Sequence, residues 1–371
     1  MAVPIPYRRE LETPEAEEAE TSQALNETLR KIAEKTYADS GHGMRGVHVK
    51  SHALLTGQIQ VLGGLPDPLA QGLFAHARTY PLIMRFSTTP GDVLPDSVST
   101  PRGLAIKIVG VEGERLPGSE GDVTQDLVMV NGQVFNAPDG KAFLGGLKLL
   151  APTTDRMEGA KVVLSKVLQG TEKVIETFGN PNSAVRGLGG EPATHPLGES
   201  YYSQTPLLYG HYMAKICVVP VSPELTELTD ARIDINHNKT ALRDAMIDHF
   251  AIHGAEWEVR VQLCTNLDTM PIEDASKRWP EEESPYITVA RIRVQPQMAW
   301  SEAKSQAIDD NMSFTPWHGL AAHRPLGSIN RLRKSAYEMS SRFRAEHNGV
   351  VLREPHDIDA LVEDDTLITA S

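Results

Sequence analysis

Four strand-like runs follow one another between residue 45 and about residue 135, with no helix-length segment between them. Val47–Leu62 alternates apolar and polar residues in places. Gly63-Gly64 and Pro66-Asp67-Pro68 then break it. Tyr80–Ser87 is the second run. Arg102–Gly110 is the third, with Leu104, Ile106 and Ile108 on one face, and Gln125–Phe135 is the fourth. Parallel neighbours need a long crossover, usually helical, so strands joined this closely are expected to pair antiparallel. Further runs at Tyr209–Val221, Glu256–Asn266 and Tyr286–Val294 bring the count to seven or eight strands in two groups. An α+β chain built on an antiparallel sheet or barrel follows.

Helical spacing surrounds these runs. Thr21–Lys35 is expected to form an amphipathic helix with Leu25, Leu29 and Ile32 on one face, and residues 1–40 read as an arm. Ala142–Leu150 carries a short helical pattern and Ala160–Phe178 a longer one, and Ile233–His249 and Trp300–Asp309 follow with helical spacing. Residues 41–350 form the main body, and the acidic tail at 351–371 reads as loosely attached.

Composition narrows the classes. At 371 residues, 40% hydrophobic and 23% charged, this is the chemistry of a soluble globular chain. A net charge of −13 argues against nucleic acid and anionic membrane as partners. No run is long and apolar enough to span a bilayer, and the start has no secretory pattern. Cys217 and Cys264 lie in apolar strand-like runs and read as reduced core thiols, with a cytoplasmic setting as the expectation.

One stretch carries chemistry in its spacing. Ser328 to Arg344 contains neither Gly nor Pro, and Ser328 is placed to cap its first turn. Arg333, Tyr337 and Arg344 share a face, because three to four residues make a turn. Tyrosine phenols titrate near ~10. A guanidinium about 4 Å away favours the anion by roughly 4 kcal/mol at an effective dielectric of ~20. Arg-x-x-x-Tyr on a helix is therefore one way to present a phenolate to ferric iron. Taken alone, the stretch is more often an ordinary amphipathic helix.

Upstream lie Arg45-Gly-Val-His48-Val-Lys50, Arg85-Phe-Ser87-Thr-Thr89, Thr100-Pro-Arg-Gly-Leu-Ala-Ile-Lys107 and Asp126-Leu-Val-Met-Val-Asn131. Met270-Pro-Ile-Glu-Asp and Trp279-Pro-Glu-Glu follow. In this order, and with the helix, they resemble the haem catalase family over residues 40 to 345.

The resemblance implies an eight-stranded antiparallel β-barrel with surrounding helices and buried haem b. Tyr337 would be the iron ligand, with Arg333 stabilising its phenolate. His48 would move the peroxide proton, Ser87 would hold its ring, and Asn131 would orient the peroxide. Arg45, Arg85 and Arg344 would pair with the haem propionates. The implied activity is a haem peroxidase or catalase-related enzyme reducing hydrogen peroxide or organic hydroperoxides through a ferryl intermediate, with an organic reductant as partner. NADPH is not indicated, and a homo-oligomer is consistent with the family.

Departures point to a compact, catalase-related branch. The family's Asn-Asn-Thr-Pro is Val130-Asn131-Gly132-Gln133 here, and its Pro-Asp-Thr-His is Glu338-Met-Ser-Ser. The full-size C-terminal helical region and intersubunit arm have no counterpart. A fatty-acid hydroperoxide lyase or isomerase, resembling allene oxide synthases, and a non-catalytic haem binder remain the alternatives. His42, His48 and His52 are spaced by six and four, which does not put all three on one face of a strand or helix.

Overall fold

The structure, a computed structural model, describes residues 3–89, 91, 93–150, 191–359 and 361. The helix expected at Ala160–Phe178 lies outside the described residues. Among those residues are nine strands: β1 Lys50–Val61, β2 Thr79–Thr88, β3 Arg102–Val109, β4 Thr124–Val130, β5 Tyr201–Tyr202, β6 Leu207–Tyr209, β7 Tyr212–Pro220, β8 Ala255–Leu263 and β9 Ile287–Val294. Every pairing between them is antiparallel. The order β5-β4-β3-β2-β1-β9-β8-β7 closes on itself, because β5 pairs with both β4 and β7. The result is a closed eight-stranded antiparallel barrel, with β6 added beside β7. Closure removes the unpaired strand edges that an open sheet would expose. The two shortest strands, β5 and β6, are the ones periodicity does not reveal.

Alternation along each strand separates two layers. Leu55, Met84, Phe86, Leu104, Ile106, Leu127 and Met129 point inward and join Trp257 and Ile216 in the barrel core. The residues between them point outward. Leu54, Ile83, Ala105 and Val128 form a second apolar cluster there with Ile308, Phe314 and Leu361.

Four longer helices surround the barrel among the described residues. They are α1 Glu18–Ser40, α2 Gly140–Leu150, α3 Ala241–Ile252 and α4 Ser328–Asn348. Leu25 and Leu29 of α1 pack against Leu332 and Ala336 of α4 and Leu144 of α2, so the N-terminal arm is seated on the body of its own chain. Trp300–Asp309 is a short helix at Glu302–Lys304 that widens into a π-helical turn at Ser305–Asp310.

Two expectations are corrected. The described part of the tail is docked: Glu354 reaches the fully buried Lys107 at 2.6 Å, and Leu361 is buried in the outer cluster. Ser328 does not cap α4. Its hydroxyl accepts from Gly140 N at 3.2 Å. Glu273 Oε2 instead accepts from Ser328 N at 2.8 Å, a carboxylate at the positive end of the helix dipole. Among the described residues no helix is long and apolar enough to cross a membrane. Both cysteines are buried and free, and burial pushes Cys264 up to about 11.

Candidate active site

Helix α4 supplies one wall. Its N-terminus is bound by an ion-pair network in which Arg331 meets Glu12, Glu18 and Glu273 at 2.7–3.2 Å. Its C-terminus closes on Gly349, left-handed at φ 63°, whose N–H returns to Ala345 O. With Leu332 and Ala336 buried against α1, the opposite face turns to the barrel. That face carries Asn330, Arg333, Tyr337, Ser340 and Arg344. Arg333 Nη2 donates to Tyr337 Oη at 3.0 Å. Asn330 holds the guanidinium from behind, accepting from Nη1 at 3.2 Å while its own amide donates to Pro206 O and Leu326 O.

The outer face of the barrel supplies the other wall. Register aligns Ser87, Gly103 and Val130 in one row, and Arg85, Ala105 and Val128 in the next. Segment 43–48 crosses between the walls, because Gly46 N donates to Ser340 Oγ at 3.2 Å. His48 follows with φ 54°, a left-handed conformation uncommon outside glycine. Its Nδ1 lies 3.3 Å from Ser87 Oγ. The ring rests on Gly103, where an added Cβ would come within 2.5 Å of Nδ1. Enclosure by protein, then the charges of Arg85 and Arg333, hold His48 down to about 3. It is therefore a neutral imidazole across the physiological range.

Three guanidinium groups converge on the π-helical turn. Asp309 Oδ1 accepts from Arg85 Nε at 2.6 Å and from Arg45 Nη1 at 3.1 Å. Arg344 Nη1 donates to Asp309 O at 2.6 Å, and Nη2 to Met312 O at 3.2 Å. Arg344 Nε is buried with no partner. Burial and the nearby Arg85 lower Arg344 to about 10, and burial with Arg344 and Arg85 lowers Arg45. Asp309 is the carboxylate that Arg45 and Arg85 share, and their charges hold it below the usual carboxylate range. Asp310 also acts on Arg45 and Arg344, so the three guanidinium groups outnumber the carboxylates beside them.

Seven of the eight candidate residues from the sequence thus gather on α4, the outer barrel face and the segment between them: Arg45, His48, Arg85, Ser87, Arg333, Tyr337 and Arg344. Asn131 does not join them. Its Nδ2 donates to Glu191 Oε1 at 2.9 Å and Glu199 Oε2 at 2.8 Å, and its Oδ1 accepts from Arg102 N at 3.1 Å. One position beyond Val130, it has the opposite parity and turns to a cluster around Arg102. Gly103, Asp309 and Asn330 were not legible as site residues. Only Gly103 left a trace, as a glycine inside a strand run. The three upstream histidines separate: His42 pairs with Asp310, His48 with Ser87, His52 with Thr88. Among the described residues no cluster of His, Cys, Asp or Glu is arranged to hold a metal ion.

No protein-family model and no curated protein matches the sequence. Solved structures do. The chain superimposes on a fungal catalase with TM-score 0.57 at 17% identity, covering 84% of this chain and 61% of that one. The fold is the catalase fold. Catalase A from Saccharomyces cerevisiae gives TM-score 0.57 at 17% identity, over 83% of this chain and 62% of the yeast chain. A bacterial catalase gives 0.55 at 17% identity, over 89% and 63%. The chain therefore spans about three-fifths of the length of these catalases.

Proposed function

We propose that this chain binds haem b between α4 and the outer face of the barrel and uses it to reduce peroxides. The observation that carries the reading is the arginine cluster. Arg45 and Arg85 share the Asp309 carboxylate, Arg344 reaches only main-chain carbonyls, and its Nε–H is left unsatisfied. Unpaired buried charge is costly, so this arrangement calls for an anion. A molecule with carboxylates along one edge would answer this excess of cations, and porphyrin propionates have that form. On the same helix face, Tyr337 Oη accepts from Arg333 Nη2, which fixes the phenol oxygen where an iron ligand would be needed. The residues present fit the group.

Bound ferric haem would supply the redox centre that O–O cleavage requires. The chain's own residues do the rest. His48 Nδ1 faces Ser87 Oγ, which leaves Nε2 as the base directed at substrate. Being neutral, that nitrogen accepts a proton from one peroxide oxygen and returns it to the other as it leaves. Arg333 fixes the phenol, and Asn330 fixes Arg333.

An absorption spectrum of the purified, haem-supplemented protein tests the reading, followed by stopped-flow mixing with peroxide. The expected result is an intense porphyrin band that changes on peroxide addition, with turnover of an organic reductant. His48→Ala is expected to keep the band and lose the reaction. Product analysis with a lipid hydroperoxide would reveal rearrangement without a reductant. A colourless protein would refute the proposal.

A further inference from the structure

We propose that Val130, and no amide, is the side chain flanking the His48 imidazole, and that the site takes hydroperoxides carrying an alkyl body in preference to hydrogen peroxide. The first half rests on register. Gly103 pairs with Val130, and cross-strand partners project from the same face of a sheet. The face of Gly103 is known, because its missing Cβ would meet the His48 ring at 2.5 Å and Ser87 Oγ at 3.1 Å. Val130 therefore stands on the His48 side. The same parity holds one row on, where Ala105 and its partner Val128 both pack in the outer apolar cluster. It holds again where Lys107 and its partner Asp126 meet at 2.7 Å. Asn131 falls between these rows, and both its amide hydrogens are taken by Glu191 and Glu199.

The second half rests on the proposed function and adds its substrate class. Around His48 the outer rows offer Gly103, Ala105, Val128 and Val130, with Ser87 engaged by the ring and Arg85 by Asp309 and Val49 O. Hydrogen peroxide has two hydroxyl groups. One meets His48; the other would face an apolar wall, an unmet hydrogen bond worth roughly tenfold in affinity. An alkyl hydroperoxide has one hydroxyl group and no second to satisfy. Its carbon body buries against the valines, each methylene adding roughly fourfold.

The test uses the full chain with Val130→Asn and Asn131→Val. In haem-free protein, the His48 ring nitrogen resonances are expected to shift on Val130→Asn and stay in place on Asn131→Val, which loses thermal stability instead. In haem-loaded protein, cyanide affinity is expected to rise roughly fivefold to tenfold on Val130→Asn, through a new hydrogen bond. The rate ratio of cumene hydroperoxide to hydrogen peroxide, above ten in the parent, is expected to fall about tenfold. A His48 shift that follows Asn131→Val would overturn the placement. A parent that prefers hydrogen peroxide would overturn the substrate class. A colourless parent whose His48 resonances respond to Val130→Asn would refute haem binding while the placement stands.

Discussion

Gly103→Ala tests the geometry at its tightest point. The added methyl would lie 2.5 Å from His48 Nδ1, 2.7 Å from Cε1 and 3.1 Å from Ser87 Oγ. Non-bonded carbon contacts are comfortable at about 3.5–4.0 Å, so the imidazole must retreat by about 1 Å. Retreat is resisted, since His48 sits at φ 54° and Gly46 is tied to Ser340 at 3.2 Å. Overpacking of this kind destabilises by about 1–3 kcal/mol. A misplacement of about 1 Å in a reacting group lowers rates about 10²-fold, or about 2.7 kcal/mol in activation free energy. The haem-loaded variant should therefore keep its visible spectrum, because Tyr337 and Arg333 are untouched, and lose peroxide reactivity about a hundredfold in stopped-flow. A variant reacting within threefold of the parent, at unchanged thermal midpoint, would show that the ring does not work from its seat on Gly103.

Other perturbations probe the rest. Tyr337→Phe removes the acceptor of Arg333 Nη2 and is expected to abolish haem retention or change the visible spectrum; an unaltered spectrum would exclude the phenol as ligand. Asp309→Asn removes the carboxylate shared by Arg45 and Arg85 and is expected to destabilise the haem-free protein by about 3–5 kcal/mol in urea unfolding. Acid should destabilise the fold. Burial holds His323 at about 4, so below the ordinary histidine range the unfolded chain binds the proton first and stability falls with pH. By pH 4 that one group accounts for roughly 3 kcal/mol. Asp309, held low, acts in the same direction and further into acid, its contribution being lost as its carboxylate protonates. Thermal melts from pH 7 to pH 4 should show a monotonic decline. Glu354→Gln should loosen the tail from Lys107, read as faster proteolysis after residue 350 with the barrel intact.

Much of this molecule is written in short-range periodicity. Four strand-like runs with no helix-length segment between them were enough to anticipate an antiparallel sheet or barrel. Spacing by four and seven put Arg333, Tyr337 and Arg344 on one helical face. Strand ends were less legible, as where the run Gln125–Phe135 stops at Val130. β5 and β6 carry two and three residues, too few for a pattern.

Sequence by itself decided which residues could face together along one element, because helix and strand geometry is local. Only the tertiary structure decided what they face. Glu273 caps a helix that begins 55 residues later, and Asp309 gathers arginines from three separate segments. The choice between Val130 and Asn131 turned on the pairing of β4 with Gly103, where a slip of one residue would exchange an amide for a methyl surface. Such partners are set by register and chain closure, which no window of neighbouring residues contains.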